Sequence, residues 1–506
     1  MTWGCPRQRV AGARAVEISR ATEPGRPALF EVPLGARSFE RYAPFVSAKM
    51  IETMRQVAVA TRARLGERVL WDISSTKAGG GVAELLHGLL PYVRGAGIDA
   101  RWMVIAGPPA FFRVTKGIHN ALHGIADETV LSDEARAIYE RTLRANAAQL
   151  EGLVKPRDIV IAHDPQTAGL VPHLSRQGAL VIWRSHIGHE RPDGPVEAAW
   201  KFLAPYLADA HALVFSREAY VPAHVDRGRS VVLPPSVDIF SPKNQPMDDD
   251  VARAICVQTG IVEGPPGECG CTFTRADGSP GRVDRAADVI RLGRAPSWDT
   301  PIITQVSRWD ALKDAVGVLR GFARLVEPYA PGDAHLVLAG PDVDSVADDP
   351  EGARVFADVI TAWRELPQHQ RHRVHLVMLP MDDLDENAAI VNALQRHARV
   401  IVQKSLHEGF GLTVTEAMWK ARPVVASAVG GIQDQIRHLQ DGVLLDDPAD
   451  LDGFAEALRM VLADPELAAR LGASAKERVR ANYLGLHSLL RYARVVERID
   501  SAAAAG

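Results

Sequence analysis

The sequence predicts an α/β protein with two doubly wound domains that face each other across a cleft. Three observations favour this fold class. Short runs rich in Val, Ile and Leu recur along the chain, helical patterns separate them, and a Pro-rich break divides them into two series. Strands that are apolar on both faces are typical of parallel sheets covered by helices. The length of 506 residues suffices for two large domains.

The first series predicts an N-terminal domain over residues 41–244, preceded by a loose segment over residues 1–40. Its predicted strands are RVLWDIS (68–74), ARWMVIAG (100–107), DIVIAHD (158–164), ALVIWRS (179–185) and HALVFS (211–216). A glycine-rich turn after the first strand leads into a predicted helix at about residues 82–93. The Pro-rich stretch VVLPPSVDIFSPKN, at residues 231–244, marks the end of the domain.

The second series predicts a C-terminal domain over residues 245–483. Its predicted strands are PIITQVS (301–307), AHLVLAGP (334–341), RVHLVMLP (373–380), RVIVQKS (399–405) and RPVVASA (422–428). Helical patterns occupy residues 314–327, 387–398, 414–421, 451–462 and 465–483. A Gly-, Pro- and Asp-rich composition predicts an irregular insertion at residues 256–295. A helix over residues 484–506 could cross back onto the N-terminal domain.

Composition excludes several classes of protein. The chain has 58 basic and 62 acidic residues, a net charge of −4, so a dedicated nucleic-acid binder is not expected. No apolar run approaches the roughly 20 residues of a membrane helix, and the first 26 residues lack a signal-peptide core. Four cysteines are too few to staple the chain, which favours a reducing cytoplasm. Cys256, Cys269 and Cys271 lack paired metal-ligand spacing, so we expect no metal site.

A glycine-rich loop in KAGGGVAELLHGL, residues 77–89, could bring backbone close to a ligand. The helix that follows offers free N–H groups and the positive end of its dipole, where a phosphate or sugar hydroxyl could bind. The motif is neither G-x-G-x-x-G nor a Walker A loop, which argues against a dinucleotide site. A tight turn between strand and helix explains the glycines equally well.

Arg308 and Lys313, in QVSRWDALKDAVGVL, follow a predicted strand and precede a helix. Ligands of doubly wound sheets bind at the carboxyl ends of strands. Arginine suits a diphosphate by its fork of donors, and lysine suits it as a point charge. Taken alone, however, such a pair is more typical of two solvated surface cations.

Glu408 and Glu416 are separated by seven residues in the segment QKSLHEGFGLTVTEAMWK. Gly409 and Gly411 lie between them, at the start of a predicted helix, so backbone N–H groups there can face a ligand. Both carboxylates can point into one pocket. N–H groups for phosphate oxygens and carboxylates for sugar hydroxyls are the mixture that a sugar nucleotide requires.

These residues resemble a known family. Glu-x7-Glu with Arg308 and Lys313 upstream resembles the retaining glycosyltransferases of family 4, which have the GT-B fold of two Rossmann-like domains. More narrowly, the chain resembles the group of trehalose glycosyltransferring synthases and trehalose phosphorylases. The matching stretches include SSTKAGGGVAELLHGLLP, FFRVTKGIHNALHG, HDPQ, WRSHIG, LPPSVDIFSPKN, QVSRWDALKD, ENAAIVNALQRHA and QKSLHEGFGLTVTEAMWK. They span residues 68–445; residues 1–40 show no match, and residues 256–295 are longer than the group's compact linker.

The resemblance implies that the C-terminal domain binds a nucleotide-sugar donor. Arg308 and Lys313 would neutralise the leaving diphosphate, and Glu408 would contact the hydroxyls of the donor sugar. The other residues implied at the donor site are Gly409, Phe410, Gly411, Leu412, Thr413, Glu416, Leu379 and Met381. Among them Glu416 would hold the ribose, and Leu379 with Met381, beyond a strand end, would sandwich the base.

The resemblance also implies that the N-terminal domain binds the acceptor. The residues expected there are Gly80, Gly81, Lys116, His119, Asn120, His163, Asp164, Arg184 and His186. Of these, His163 and Asp164, at a predicted strand end, have the best position for a cleft. For any lone histidine, a satisfied place in the core is the more common explanation.

The implied activity is transfer of glucose from UDP- or ADP-glucose to glucose, giving trehalose with retention of configuration. No cofactor or metal is expected, because Arg308 and Lys313 supply the positive charge. A phosphorylase, a transferase with another acceptor and a non-catalytic sugar-nucleotide sensor remain alternatives. The expected partners are small-molecule substrates, without nucleic acid or membrane. The insertion at 256–295 could cover the cleft or mediate oligomers, a homodimer among them.

Overall fold

The computed structural model describes residues 29–505 except 78–79, 126–130, 191–193, 266, 268, 327–332 and 344–349. Most of the N-terminal segment expected to be loose, residues 1–28, therefore lies outside the described residues. Within the described part, the chain forms two seven-stranded sheets, each flanked by helices. This architecture agrees with the predicted fold class.

The N-terminal sheet has the strand order β1-β3-β2-β4-β5-β6-β7. Its strands are β1 (Phe30–Val32), β2 (Leu70–Ser74), β3 (Ala100–Val104), β4 (Ile159–His163), β5 (Leu180–Arg184), β6 (Ala212–Phe215) and β7 (Ser230–Val232). All pair in parallel except the edge strand β1, which is antiparallel to β3. The strands β2, β4 and β5 are buried along their whole length, as both-face apolar runs predict. The sequence did not predict β1 or β7.

Seven helices of the described chain belong to this domain by sequence. They are α1 (Ala48–Leu65), α2 (Gly81–Gly95), α3 (Pro109–Leu122), α4 (Asp133–Leu150), α5 (Asp164–Ala168), α6 (Val171–Arg176) and α7 (Gly194–Leu207). The predicted helix at residues 82–93 corresponds to α2. The helix α1 lies between the edge strand β1 and β2, and the others lie between successive parallel strands, as a doubly wound topology requires.

The C-terminal sheet has the strand order β10-β13-β12-β11-β14-β15-β16. Its strands are β10 (Asp288–Ile290), β11 (Ile302–Val306), β12 (His335–Pro341), β13 (Val374–Leu379), β14 (Val400–Gln403), β15 (Val424–Ser427) and β16 (Val443–Leu445). The helices are α8 (Asp249–Gln258), α9 (Ala315–Val326), α10 (Pro350–Glu365), α11 (Gln368–Arg371), α12 (Leu384–His397), α13 (Leu412–Trp419), α14 (Ile432–Gln435), α15 (Leu451–Ala463) and α16 (Pro465–Asn482). All five predicted strands are present.

In its described residues, the predicted insertion at 256–295 combines short regular elements with irregular stretches. It contains the end of α8, a hairpin of β8 (Thr272–Thr274) with β9 (Pro280–Arg282), and the edge strand β10. Arg275 pairs with Asp383 at 2.7 Å, and Arg285 pairs with the buried Glu386. These ion pairs fix the insertion to the start of α12. Strands of three residues are too short for alternation to reveal them.

The last helix, α17 (Gly485–Ala505), packs against α1 and α2 of the N-terminal domain. Tyr492 accepts a hydrogen bond from Arg184 at 2.8 Å, and Asp500 pairs with Arg68 at 2.7 Å. The chain thus crosses between the domains twice. The crossings lie side by side, since the Val237 N–H donates to the Tyr483 carbonyl at 2.8 Å. In the described part of the chain, no helix is long and apolar enough to cross a membrane.

Candidate functional site

The site lies where the strand order of each sheet reverses. In the N-terminal sheet β2 is flanked by β3 and β4, and in the C-terminal sheet β11 is flanked by β12 and β14. At such switch points the loops at the carboxyl ends of the strands diverge and leave a crevice for a ligand. The glycine-rich loop follows β2, and the Glu408 loop follows β14. The topology therefore places the predicted motifs at two crevices.

Lys313 and Glu408 form an ion pair in the C-terminal crevice. The Lys313 ammonium lies 2.8 Å from Glu408 Oε1 and 2.6 Å from Oε2. Both side chains are largely buried, at 19% and 11% exposure. The Ser405 hydroxyl donates to Glu408 Oε2 at 3.1 Å, which further fixes the carboxylate. The structure thus brings together two residues that lie 95 positions apart.

Lys404 holds the loop that carries Lys313. It is fully buried and pairs with Asp314, which has a left-handed backbone with φ of 50°. The Leu406 N–H donates to the Leu312 carbonyl at 2.8 Å, which ties the loops after β11 and β14 to each other. A buried cation needs a partner, so Lys404 and Asp314 fix each other and the adjacent Lys313.

Arg308 is much more exposed than Lys313. Its guanidinium is 62% exposed and contacts Asp310 at 3.3 Å. Burial lowers the pKa of His119, on α3 of the N-terminal domain, to about 3. The positive charge of Arg308 makes a smaller contribution in the same direction, so Arg308 faces α3. Arg308 therefore lies at the open side of the cleft, whereas Lys313 lies inside it.

The N-terminus of α13 presents free backbone N–H groups. Its N-cap residue, Gly411, has φ of 82° and makes no side-chain cap hydrogen bond. Apart from the Val414 N–H, which donates to the Gly411 carbonyl, N–H groups of the first turn can therefore donate to an anion. Phe410 is buried against Tyr483. The Thr413 hydroxyl donates to Gln403, which donates to Ser405 in turn, at 3.1 and 2.9 Å. The turn is thereby linked to the Glu408 carboxylate.

Gly430 allows the Glu408 loop to pack closely. It has φ of 51°, and a Cβ at this position would overlap the carbonyl oxygen of Glu408. The Tyr220 hydroxyl, from the N-terminal domain, lies 2.9 Å from the same carbonyl and 2.7 Å from that of Gly409. A Cβ at Gly409 would also lie 3.5 Å from the His186 carbonyl. The loop that carries Glu408 therefore contacts the opposite domain directly.

Glu416 is buried one turn into α13, at 3% exposure. Its Oε1 lies 3.3 Å from the ammonium of Lys243, whereas Oε2 has no hydrogen-bond partner among the described residues. Burial raises the pKa of this carboxyl, and Lys243 acts in the opposite direction. A buried carboxylate oxygen without a partner is suited to accept a hydrogen bond from a ligand hydroxyl.

The N-terminus of α2 faces that of α13 across the cleft. Gly80 caps α2 with φ of 90° and no side-chain hydrogen bond. A Cβ at Gly81 would contact the Leu412 side chain at 3.5 Å. Two helix starts with free N–H groups therefore meet at one place. Residue 79, within the predicted glycine loop, lies outside the described residues.

The buried His163 and the half-buried Asp164 and His186 form a polar cluster at the ends of β4 and β5. His163 Nε2 lies 2.8 Å from Asp72 Oδ1, and His163 Nδ1 lies 3.0 Å from His186 Nε2. The backbone N–H of His186 donates to Asp164 Oδ1 at 2.7 Å. Burial raises the pKa of Asp164 to about 6 and lowers that of His186 well below its usual range.

Arg184 is fully buried, and hydrogen bonds within the protein hold its guanidinium in place. It donates to Tyr492 at 2.8 Å, to the Leu233 carbonyl at 3.0 Å, and from Nε to the His186 ring at 3.2 Å. Arg184 contacts the expected acceptor site through its hydrogen bond to the His186 ring.

The remaining acceptor candidates lie on α3. Lys116 is exposed, and the His119 ring lies 3.5 Å from the Asn120 side chain. The sequence reasoning missed His123, one turn further along, whose ring centroid lies 4.8 Å from that of His119. Burial lowers the pKa of His123 to about 4, and the charges of Glu408 and Lys313 contribute with opposite signs. The end of α3 therefore faces the Lys313–Glu408 pair.

The two residues expected to sandwich a base differ in environment. Leu379 is the last residue of β13 rather than beyond it, and it is buried in the core at 2% exposure. Met381 is half-buried, and its sulfur lies 3.4 Å from the Asn387 amide. The geometry thus places Met381 nearer the surface than Leu379. The sequence analysis did not single out Tyr220, Lys243 or Lys404, although the stretches LPPSVDIFSPKN and QKSLHEGFGLTVTEAMWK contain the two lysines.

The cysteines of the insertion do not form a metal centre in the described structure. Cys256 and Cys271 are buried in one apolar cluster, and burial raises the pKa of Cys256 to about 12. Among the described residues, no group of three His, Cys, Asp or Glu side chains could hold a metal ion.

Two doubly wound domains with facing switch points, joined across a cleft rich in cations, carboxylates and helix N-termini, define a glycosyltransferase of GT-B fold. Family models match residues 72–222 as "Trehalose synthase, N-terminal domain" and residues 295–478 as "Glycosyl transferases group 1". The chain is 36% identical to a trehalose synthase of Rubrobacter xylanophilus over 89% of its length and 94% of that protein. The chain belongs to the trehalose synthase family and is a trehalose-related hexosyltransferase.

More distant relatives agree with this assignment. A trehalose phosphorylase of Pleurotus pulmonarius is 26% identical over 80% of this chain and 54% of that protein. A solved structure described as "Trehalose-6-phosphate from E. coli bound with UDP-2-fluoro glucose" superposes with a TM-score of 0.61 and 15% identity. The match covers 85% of this chain and 99% of that one, and it supports the fold.

Proposed function

We propose that the protein transfers glucose from a nucleoside-diphosphate glucose to glucose, reversibly and with retention, to form trehalose. The observation that supports this most directly is the Lys313–Glu408 pair beside the free N-terminus of α13. A cation and backbone N–H groups suit a diphosphate, and a carboxylate suits the hydroxyls of the sugar attached to it. The uncapped start of α2, across the cleft, suits the approach of the second sugar.

In the proposed reaction, the bond between C1 of the donor glucose and the diphosphate oxygen breaks. The anomeric hydroxyl oxygen of the acceptor glucose bonds to C1 from the same face, and its proton passes to the departing phosphate oxygen. Lys313, Arg308 and the N–H groups of α13 stabilise the negative charge that develops on the diphosphate. No protein nucleophile takes part, and we propose that these cations take the place of a metal.

The His163–His186–Asp164 cluster lies at the acceptor side of this arrangement. Its members are positioned by buried hydrogen bonds, including the contact of His163 with Asp72 at 2.8 Å. Closure of the cleft would exclude water as a competing acceptor. The contacts of the Tyr220 hydroxyl with the carbonyls of Glu408 and Gly409 support such closure. The substrates are therefore small molecules enclosed between the domains.

The test is to incubate the purified protein with UDP-glucose or ADP-glucose and glucose, and to identify the products by NMR. The proposal requires a non-reducing disaccharide and release of the nucleoside diphosphate, and the anomeric coupling reports whether configuration is retained. Tight nucleotide binding without turnover for any acceptor would instead indicate a sugar-nucleotide sensor.

The second candidate is a phosphorylase that cleaves trehalose with inorganic phosphate. The resemblance to the Pleurotus trehalose phosphorylase favours including it. Phosphate would then bind where the diphosphate is proposed, beside Lys313. Phosphate-dependent cleavage of trehalose without any nucleotide would favour this candidate over the transferase.

A further inference from the structure

Lys243 lies in the segment that joins the two domains, and its ammonium sits between two carboxylates. It is 3.0 Å from Glu84 Oε2, in the first turn of α2, and 3.3 Å from Glu416 Oε1, in α13. These helices begin face to face, with Gly81 close to Leu412. Lys243 is therefore placed one helical turn behind the two free helix N-termini, and it contacts both domains.

The groups around Glu416 leave Lys243 as its ion-pair partner. The buried Lys420 ammonium is engaged by the side-chain oxygens of Asn244 and Gln395, at 2.9 and 2.7 Å, and contacts the backbone carbonyl of Glu416 at 3.4 Å. The charged groups that affect Glu416 are Lys243, Glu84 and Lys420. Glu84 is negative and cannot stabilise a second carboxylate, and the charge of Lys420 has a smaller effect on Glu416 than that of Lys243. Lys243 is therefore the cation that contacts the Glu416 carboxylate and stabilises it most.

We infer, on the basis of the proposed function, that Lys243 is a positioning residue for the donor. It holds Oε1 of Glu416, so that the unpartnered Oε2 accepts a hydrogen bond from a ribose hydroxyl. Through Glu84 it ties the same carboxylate to the start of the glycine-loop helix. Lys243 acts on the donor through Glu416 and does not itself contact the sugar nucleotide.

The proposed role depends on whether the buried carboxyl of Glu416 is ionised or protonated. An ionised carboxylate accepts hydrogen bonds, whereas a protonated one presents a donor to the ribose. Burial of Glu416 favours its protonated form, and the neighbouring ammonium opposes this effect. Without Lys243, Glu416 would take up a proton at a higher pH and would also lose the contact that orients it.

The test compares Lys243→Met with Lys243→Arg in the full-length protein, by calorimetry with ADP, UDP and inorganic pyrophosphate as probes. Pyrophosphate lacks a ribose and reports the diphosphate site alone. Lys201→Met, which removes an exposed lysine of α7, is the matched control. Circular dichroism and thermal unfolding establish that each variant is folded.

Lys243→Met is expected to weaken binding of the nucleoside diphosphate about tenfold or more, since a hydrogen bond to a charged group is lost. Pyrophosphate affinity should change by less than about threefold, because long-range attraction is screened. Lys243→Arg should restore most of the affinity.

Equal losses for pyrophosphate and nucleotide would overturn the inference, because they would mean that Lys243 attracts phosphate by charge alone. An unchanged nucleotide affinity in a folded Lys243→Met variant would overturn it as well. If the wild-type protein bound neither ADP nor UDP, the proposed function itself would fail, and this result would appear before any variant was compared.

Discussion

Replacement of Lys313 by methionine tests the central charge of the proposed mechanism. The Lys313 ammonium contacts both oxygens of Glu408, at 2.8 and 2.6 Å, and is only 19% exposed. Methionine keeps the apolar stem and removes the charge that would stabilise the leaving diphosphate. Loss of one preorganised donor of this kind lowers kcat about 10²–10³-fold. We expect that loss in the initial rate of nucleoside diphosphate release under saturating substrates.

Three further variants separate this explanation from general damage to the fold. Glu408→Gln should also lower kcat, and the double variant should be little worse than the more impaired single variant, because residues that act as a unit are not additive. Lys201→Met, on α7, should retain wild-type rates. A fall in kcat of less than about tenfold for Lys313→Met, or a rise in KM with kcat unchanged, would refute a role in stabilising the transition state.

Two predictions concern stability. Gly430→Ala should lower the unfolding temperature and the activity together, because Gly430 has φ of 51° and a Cβ there would overlap the Glu408 carbonyl. Gly35→Ala, where a Cβ would enter open space, is the control. Equal melting temperatures for the two variants would contradict the argument. Asp500→Asn should lower the melting temperature at neutral pH by a few degrees. Hydrogen bonds from Arg68, then Arg157, lower the pKa of Asp500 to about 2, below the unfolded value of about 3.9. The stabilisation by Asp500 is therefore complete above about pH 4 and is lost toward pH 2. The melting temperatures of the wild type and of Asp500→Asn should therefore converge as the pH falls to about 2. A difference that stays constant with pH would contradict this prediction.

The sequence predicted most of the fold, because buried parallel strands leave runs of apolar residues that are visible locally. RVLWDIS and RVIVQKS are examples, and they became β2 and β14. The edge strands β1 and β10 were missed, since they are three residues long and owe their conformation to pairing with β3 and β13. Pairing is a tertiary interaction, so a local pattern does not report it.

The same distinction applies to the site. Glu408, Gly409 and Gly411 form a local motif, and the sequence identified them together. Lys243 and Tyr220 come from separate segments and reach the site only because the domains face each other, at 3.3 Å from Glu416 and 2.9 Å from the Glu408 carbonyl respectively. Spacing along the chain carries no signal for such contacts.

The double crossing between the domains has a mechanical consequence. The outgoing and returning segments are hydrogen-bonded between Val237 and Tyr483, so both covalent connections pass through one place. Two bodies joined at one place can rotate about it, but translation of one past the other is restricted. A rotation that opens the cleft would therefore widen it most on the side away from these connections.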